Sequence, residues 1–184
     1  PNNYLNVGDY LFVTNIDNTF YAVQSHEIDG SVIIMDPFNG DIVSMVGGVN
    51  YDISNFNRVT QAYRQPGSSI KPFIYAHALE TKKFLPNTLI LDSNILLDQG
   101  NNLPVWVPQN YSNKSYGELT FRRALETSNN LVTLKIGLDL GLNSVNEFLD
   151  KINFYNKNIK SDVYSTLLGA VENNLLNLAK SYSI

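Results

Sequence analysis

An α+β fold is what this 184-residue sequence predicts, on three observations. Runs of β-forming residues crowd the stretch between residues 10 and 46. From Ser68 onward the apolar residues follow a helical rather than an alternating spacing. Strands come first and helices after, which is the order of α+β proteins and not of βαβ repeats.

Taken in order, residues 7 to 24 read as two short strands. Gly8-Asp9 signals a turn, Tyr10-Leu11-Phe12-Val13-Thr14 is rich in β-formers, Asp17-Asn18 turns again, and Phe20-Tyr21-Ala22-Val23 follows. Residues 31 to 35 form a continuously apolar run, expected to be a buried strand. Asp36-Pro37-Phe38-Asn39-Gly40 is turn chemistry, and residues 42 to 46 return as the hairpin partner before Gly47-Gly48. Residues 49 to 66 show no period and read as loop. A helix apolar on most faces, and therefore buried, is expected from Ser68 to about Lys82, with Pro72 tolerated in its first turn. Residues 84 to 116 are rich in Pro and Asn and read as irregular. Thr120 to Ser128 reads as a short helix capped by Thr120, and Leu131 to Leu140 as a helix stopped by Gly141. Ser144 and Glu147 suggest a capping box for a helix reaching Ile152, and Tyr164 to Ile184 reads as helical.

Bulk properties narrow the function. The chain is 43% hydrophobic and long enough to bury most of its apolar surface, so a real core is expected. A net charge of -4 without a basic stripe argues against nucleic acid as a partner, since phosphate binding needs clustered Lys and Arg. With no cysteine, disulfides and thiolate metal sites are excluded. His26 and His77, far apart, leave little material for a Ser-His-Asp arrangement or a His-rich metal site. No apolar run approaches the roughly 20 residues of a membrane span. The chain opens at Pro1 without an initiator Met and stops within a helical-looking stretch, and it is read as a segment of something longer.

The sharpest chemical feature is Gln65-Pro66-Gly67-Ser68-Ser69-Ile70-Lys71-Pro72, the one Ser-x-x-Lys in the chain. A serine hydroxyl is a poor nucleophile until a neighbour accepts its proton. Lys71, three residues on, shares a helix face with Ser68 and becomes a base if burial lowers its pKa. The free N–H groups of a helix start can stabilise an oxyanion formed at Ser68, and Gly67 allows close approach to the backbone. Two plainer readings stand beside this one: Ser68 as an ordinary N-cap, and Lys71 snorkelling to solvent. A second feature is Ser128-Asn129-Asn130 between two expected helices. It offers a hydroxyl for proton relay and an amide to hold a substrate's backbone, although Ser and Asn are also ordinary turn formers.

Together these motifs match two of the three that penicillin-binding proteins share with class A β-lactamases. The chain resembles the transpeptidase domain of class A, bifunctional penicillin-binding proteins, over residues 28 to 184. The resemblance includes the hairpin from Gly30 to Gly48, the approach Phe56 to Ala62 and Arg64 to Ser68, then Trp106, Pro108, Asn110-Tyr111, Gly117 and Arg123-Ala124-Leu125, and finally Leu168-Gly169-Ala170 to Tyr182. Residues 1 to 27 resemble the end of a small OB-like β-domain inserted ahead of it. The resemblance implies a β-lactamase-like fold with an incomplete sheet flanked by helices. It implies Ser68 as acylated nucleophile, Lys71 as general base, Ser128 as proton relay, and Asn130 and Gly67 as substrate-binding residues. The implied substrates are peptidoglycan stem peptides ending in D-Ala-D-Ala, with β-lactams as mimics and no metal or organic cofactor. It also implies an extracytoplasmic or periplasmic location, with a membrane anchor upstream.

The sequence departs from that family in one respect. It holds no Lys-Thr-Gly; Lys114-Ser115-Tyr116-Gly117 has one residue too many and precedes Ser128. Half an active site, and little cross-linking by this segment alone, are therefore expected. The alternatives are a β-lactam-binding sensor that does not turn over, a structural module using Trp106 and Tyr111 as contacts, and a β-lactamase in which Glu172 serves deacylation.

Overall fold

A computed structural model describes residues 8, 10–23, 28–98, 104–155 and 163–183. The residues group into two compact units, 1–30 and 31–184. The boundary expected from the sequence lay at 27/28.

In the first unit β1 (Phe12–Ile16) and β2 (Thr19–Val23) pair antiparallel, with Ile16 opposite Thr19. Asp17 and Asn18 join them at φ 48° and 60°, the left-handed pair that a two-residue hairpin turn demands. Short polar side chains tolerate that region best among non-glycine residues.

The second unit opens with another hairpin, β3 (Val32–Met35) and β4 (Ile42–Val46). Its turn is built by Asp36, whose Oδ1 accepts from Phe38 N–H at 2.9 Å and whose carbonyl accepts from Gly40 N–H. Here the expectation of a buried strand fails. Val32 and Ile34 are exposed and β4 is exposed along its whole length, because among the described residues β3 and β4 pair only with each other, with α5 (Leu175–Tyr182) against β3. A continuous apolar run states that a surface needs a cover without stating whether one is supplied.

The core lies among the helices. A 3₁₀ turn, Gly67–Ile70, runs directly into α1 (Lys71–Glu80), with Pro72 in the first turn as its missing N–H allows. Ile70, Ile74, Tyr75 and Ala78 are fully buried, while Ala76, Leu79 and Glu80 face solvent, so α1 is buried on most faces but not all round. It packs on α3 (Asn130–Leu140), whose Val132, Leu134 and Ile136 are equally buried, and on α4 (Leu142–Lys151) through Val145 and Leu149.

Three other readings need correction. The irregular stretch contains β5 (Leu89–Asp92), which pairs antiparallel with β6 (Gly117–Thr120). Two four-residue strands held 25 residues apart carry too little period to be read locally. The capping box at Ser144 does not form. Gly141 (φ 83°) ends α3 and begins α4 at once, and Ser144, already inside α4, bonds His77 Nε2 at 2.8 Å. The stretch from Tyr164 is broken: a 3₁₀ turn (Tyr164–Leu168) stops at Gly169, and α5 starts only after Asn174, its N-cap. Thr120 caps α2 (Phe121–Glu126) as expected, accepting from Arg123 N–H. Among the described residues no helix is long and apolar enough to cross a membrane.

Candidate active site

The strand-like approach to Ser68 is tied down before it arrives. Arg64 and Asn173 exchange both backbone hydrogen bonds at 2.9 Å, Leu176 N–H donates to Val59 O, and Asn174 Nδ2 donates to Thr60 O. Asn173 Nδ2 also donates to Phe154 O at 2.6 Å, and Asn174 Oδ1 caps α5. Both asparagines are buried. The Glu172-to-Asn177 string therefore serves to anchor backbone, with Glu172 itself exposed.

Two glycines then bring the chain round. Gly67 takes φ +54°, and Gly169 takes φ +82°. A Cβ on Gly169 would stand 2.1 Å from Gly67 O, so the 3₁₀ turn before Gly169 packs directly against the backbone that presents Ser68. Nothing lies within 4 Å of where a Cβ on Gly67 would sit, so the demand there is for the left-handed backbone, not for space. Tyr182 of α5 reaches over and donates to Ser69 O at 2.7 Å.

Ser68 is exposed, in the 3₁₀ turn ahead of α1. Ser68 precedes Lys71, the first residue of α1, by three residues, a spacing that favours one face. Neither the turn nor α1 has a side-chain cap, so the Ser68 hydroxyl is not used as one. Lys71 does not snorkel: it is 1% exposed. Its Nζ donates to Ser128 O at 2.5 Å, to Ser128 Oγ at 3.0 Å and to Asn130 Oδ1 at 2.6 Å. All three ammonium protons thus have an acceptor. Burial lowers Lys71 to about 8. Roughly a tenth of it is then neutral at pH 7, against about 0.03% for an ordinary lysine.

Ser128 and Asn130 come from the turn between α2 and α3. Ser128 sits at φ +51°, a left-handed conformation that costs a non-glycine residue about 1 kcal/mol. That kink aims both its carbonyl and its hydroxyl at Lys71. Asn130 opens α3, and its Nδ2 donates to Gln109 O at 2.9 Å. The structure thus joins Lys71, Ser128 and Asn130 directly, with Ser68 and Gly67 on the turn just before. Sequence reading did not single out Gly169, Tyr182 or the buried pair Asp92 and Asn110 as parts of this site. Gly169 stands in the resemblance, and the left-handed demand on a glycine beside a helix break could have marked its role.

Known proteins share this architecture. The penicillin binding protein transpeptidase domain family matches residues 30–183. A penicillin-binding protein 1A of Rickettsia conorii is 37% identical over 180 residues, 98% of this chain and 22% of that protein. One of Neisseria flavescens is 35% identical over 178 residues. The chain thus spans about a fifth of the length of the curated relatives it matches. Among solved structures, penicillin-binding protein 1A of Haemophilus influenzae superposes with a TM-score of 0.81 at 30% identity, over 94% of this chain and 26% of that one. The transpeptidase domain of Burkholderia pseudomallei penicillin-binding protein 3 shares the fold, at a TM-score of 0.66, 21% identity and coverage of 84% and 49%. The family match takes in nearly all of the larger unit, and the relatives align over almost the whole chain; this chain therefore belongs to the penicillin-binding protein transpeptidase domain family.

Proposed function

We propose that this chain supplies the acylation machinery of a serine D,D-transpeptidase, with Ser68 as nucleophile. The observation that carries this reading is the buried Lys71, bonded to Ser128 and Asn130 and brought down to about 8. In the neutral fraction, Lys71 Nζ has a lone pair to take the Ser68 hydroxyl proton as Oγ attacks the carbonyl of the penultimate D-Ala of a stem peptide. The C–N bond to the terminal D-Ala breaks. The proton returns to that leaving amine from Lys71 through Ser128 Oγ, which lies 3.0 Å from Nζ. An amine of a neighbouring stem then attacks the ester on Ser68, and Ser68 leaves reprotonated. Asn130 orients the donor peptide, and the open backbone at Gly67 admits it. A β-lactam enters the same first step, its ring C–N bond opening while the leaving nitrogen stays attached.

The partners in this reading are peptidoglycan stem peptides and β-lactams, on the extracytoplasmic face of a bacterial membrane, with the anchor upstream of this segment. Because no Lys-Thr-Gly occurs within residues 1–184, cross-linking by this chain alone is expected to be weak.

Intact mass after incubation with a β-lactam tests the proposal. One adduct per chain, absent from Ser68→Ala, is expected. No adduct on a chain extended to include a Lys-Thr-Gly strand would sink the reading. A rapidly hydrolysed adduct would make the chain a β-lactamase instead.

A further inference from the structure

Asn130, through which Lys71 is held, is itself set by a residue twenty positions earlier. Asn110 Oδ1 accepts from the N–H of Asn130 at 2.9 Å and of Leu131 at 3.3 Å, two groups a helix start leaves without internal partners. Asn129 Oδ1 takes the next one, on Val132, so the α3 start is closed by two asparagines from two different segments. Asn110 Nδ2 donates to both carboxylate oxygens of Asp92, at 2.9 and 3.1 Å, and to Lys114 O at 2.9 Å. Asp92 Oδ2 also accepts from Tyr116 N–H at 2.8 Å. Asp92 is 1% exposed and Asn110 6%. Asp92 is fixed as the last residue of β5, opposite Gly117 of β6.

We infer that Asp92 and Asn110 are positioning residues for acylation, locking the Ser128–Asn130 turn against Lys71. The inference rests on the reading of Lys71 as the base. The chain Asp92, Asn110, Asn130, Lys71 is continuous, and every member but Asn130 is buried. Neither Asp92 nor Asn110 bonds Lys71, so each acts through Asn130. Losing Asn110 leaves two helix-start N–H groups and a buried carboxylate short of a partner, and frees Asn130 to shift. A displacement of about 1 Å at a reacting group can cost about a hundredfold in rate.

The chemistry of the pair permits exchange. In Asp92→Asn/Asn110→Asp the new carboxylate at 110 accepts the Asn130 and Leu131 N–H groups, favoured at a helix N-terminus. The new amide at 92 donates to it and accepts from Tyr116. The bond to Lys114 O and one of the two contacts between the pair are given up, and the new carboxylate oxygen must draw back from the Lys114 carbonyl.

The test measures the Ser68 acylation rate constant separately from β-lactam Kd, and follows Lys71 by NMR titration of chain labelled at lysine Cε, with Lys71→Arg to assign the signal. Asn110→Ala and Asp92→Asn are each expected to slow acylation about ten- to a hundredfold, with Kd little changed and the Lys71 midpoint moved. The exchanged double variant is expected to regain at least about tenfold over either single one. Leu149→Ala, which weakens the core away from the cluster, serves as control. If it slows acylation as much as Asn110→Ala, or if folded Asn110→Ala leaves both rate and midpoint unchanged, the inference is overturned. If the parent forms no Ser68 adduct even when extended to include a Lys-Thr-Gly strand, the catalytic reading falls, and the Lys71 titration alone still decides whether Asn110 positions that lysine.

Discussion

Lys71 and Gly169 show how single residues can carry the site. Lys71 is a cation placed where water cannot reach it, and desolvation alone brings it to about 8. If it is the base, β-lactam acylation of Ser68 should rise tenfold per pH unit up to about 8 and then level. Lys71→Arg should abolish that rise and the reaction with it, because a guanidinium does not deprotonate. A pH series of acylation rates checks both. Gly169 has no chemistry, yet it decides where Ser68 stands. In Gly169→Ala the added Cβ must push Gly67 O away from 2.1 Å, on top of φ +82°. Overpacking of this kind costs about 1–3 kcal/mol, so a lowered melting temperature together with slower acylation is expected. A thermal scan in parallel with the acylation assay would read both; unchanged acylation would show that the turn can move without moving Ser68.

At the scale of elements, the caps are where local sequence and tertiary structure agree or part. Thr120 was legible because its hydroxyl serves an N–H only three residues on, in the helix it precedes. Asn129 does the same for α3 and is buried. Its replacement by Ala should cost about 1–2 kcal/mol in urea unfolding. The Ser144 capping box misled because a Ser and a Glu three apart carry no statement about the residue that actually turns the chain. Gly141 had already done so, and the Ser144 hydroxyl was free for His77 on α1. β5 and β6 were not legible for a related reason: neither is long enough to show alternation, and each is a strand only because the other lies beside it.

On the scale of the whole molecule, the buried ammonium is a cost that the fold bears. The folded state holds Lys71 at about 8 and the unfolded chain near 10.5, so its contribution is neutral above pH 10.5 and grows unfavourable as pH falls toward 8. Below that the loss is full, about 3 kcal/mol. Lys71→Met removes this penalty together with three hydrogen bonds whose acceptors it strands, so its melting temperature relative to the parent should fall as pH rises from 8 to 10. A gap independent of pH would mean that the lysine is not desolvated as described. The two leading hairpins with helices after them, the spacing of Ser68 and Lys71, the helix start at Thr120 and the stop at Gly141 were determined by the sequence itself, since propensity, capping and helical period act within a few residues. That Lys71 is dry, that it meets Ser128 and Asn130 almost sixty residues on, and that Asp92 and Asn110 fix that meeting were decided only by the tertiary structure, because desolvation and long-range hydrogen bonds depend on atoms that distant segments bring together.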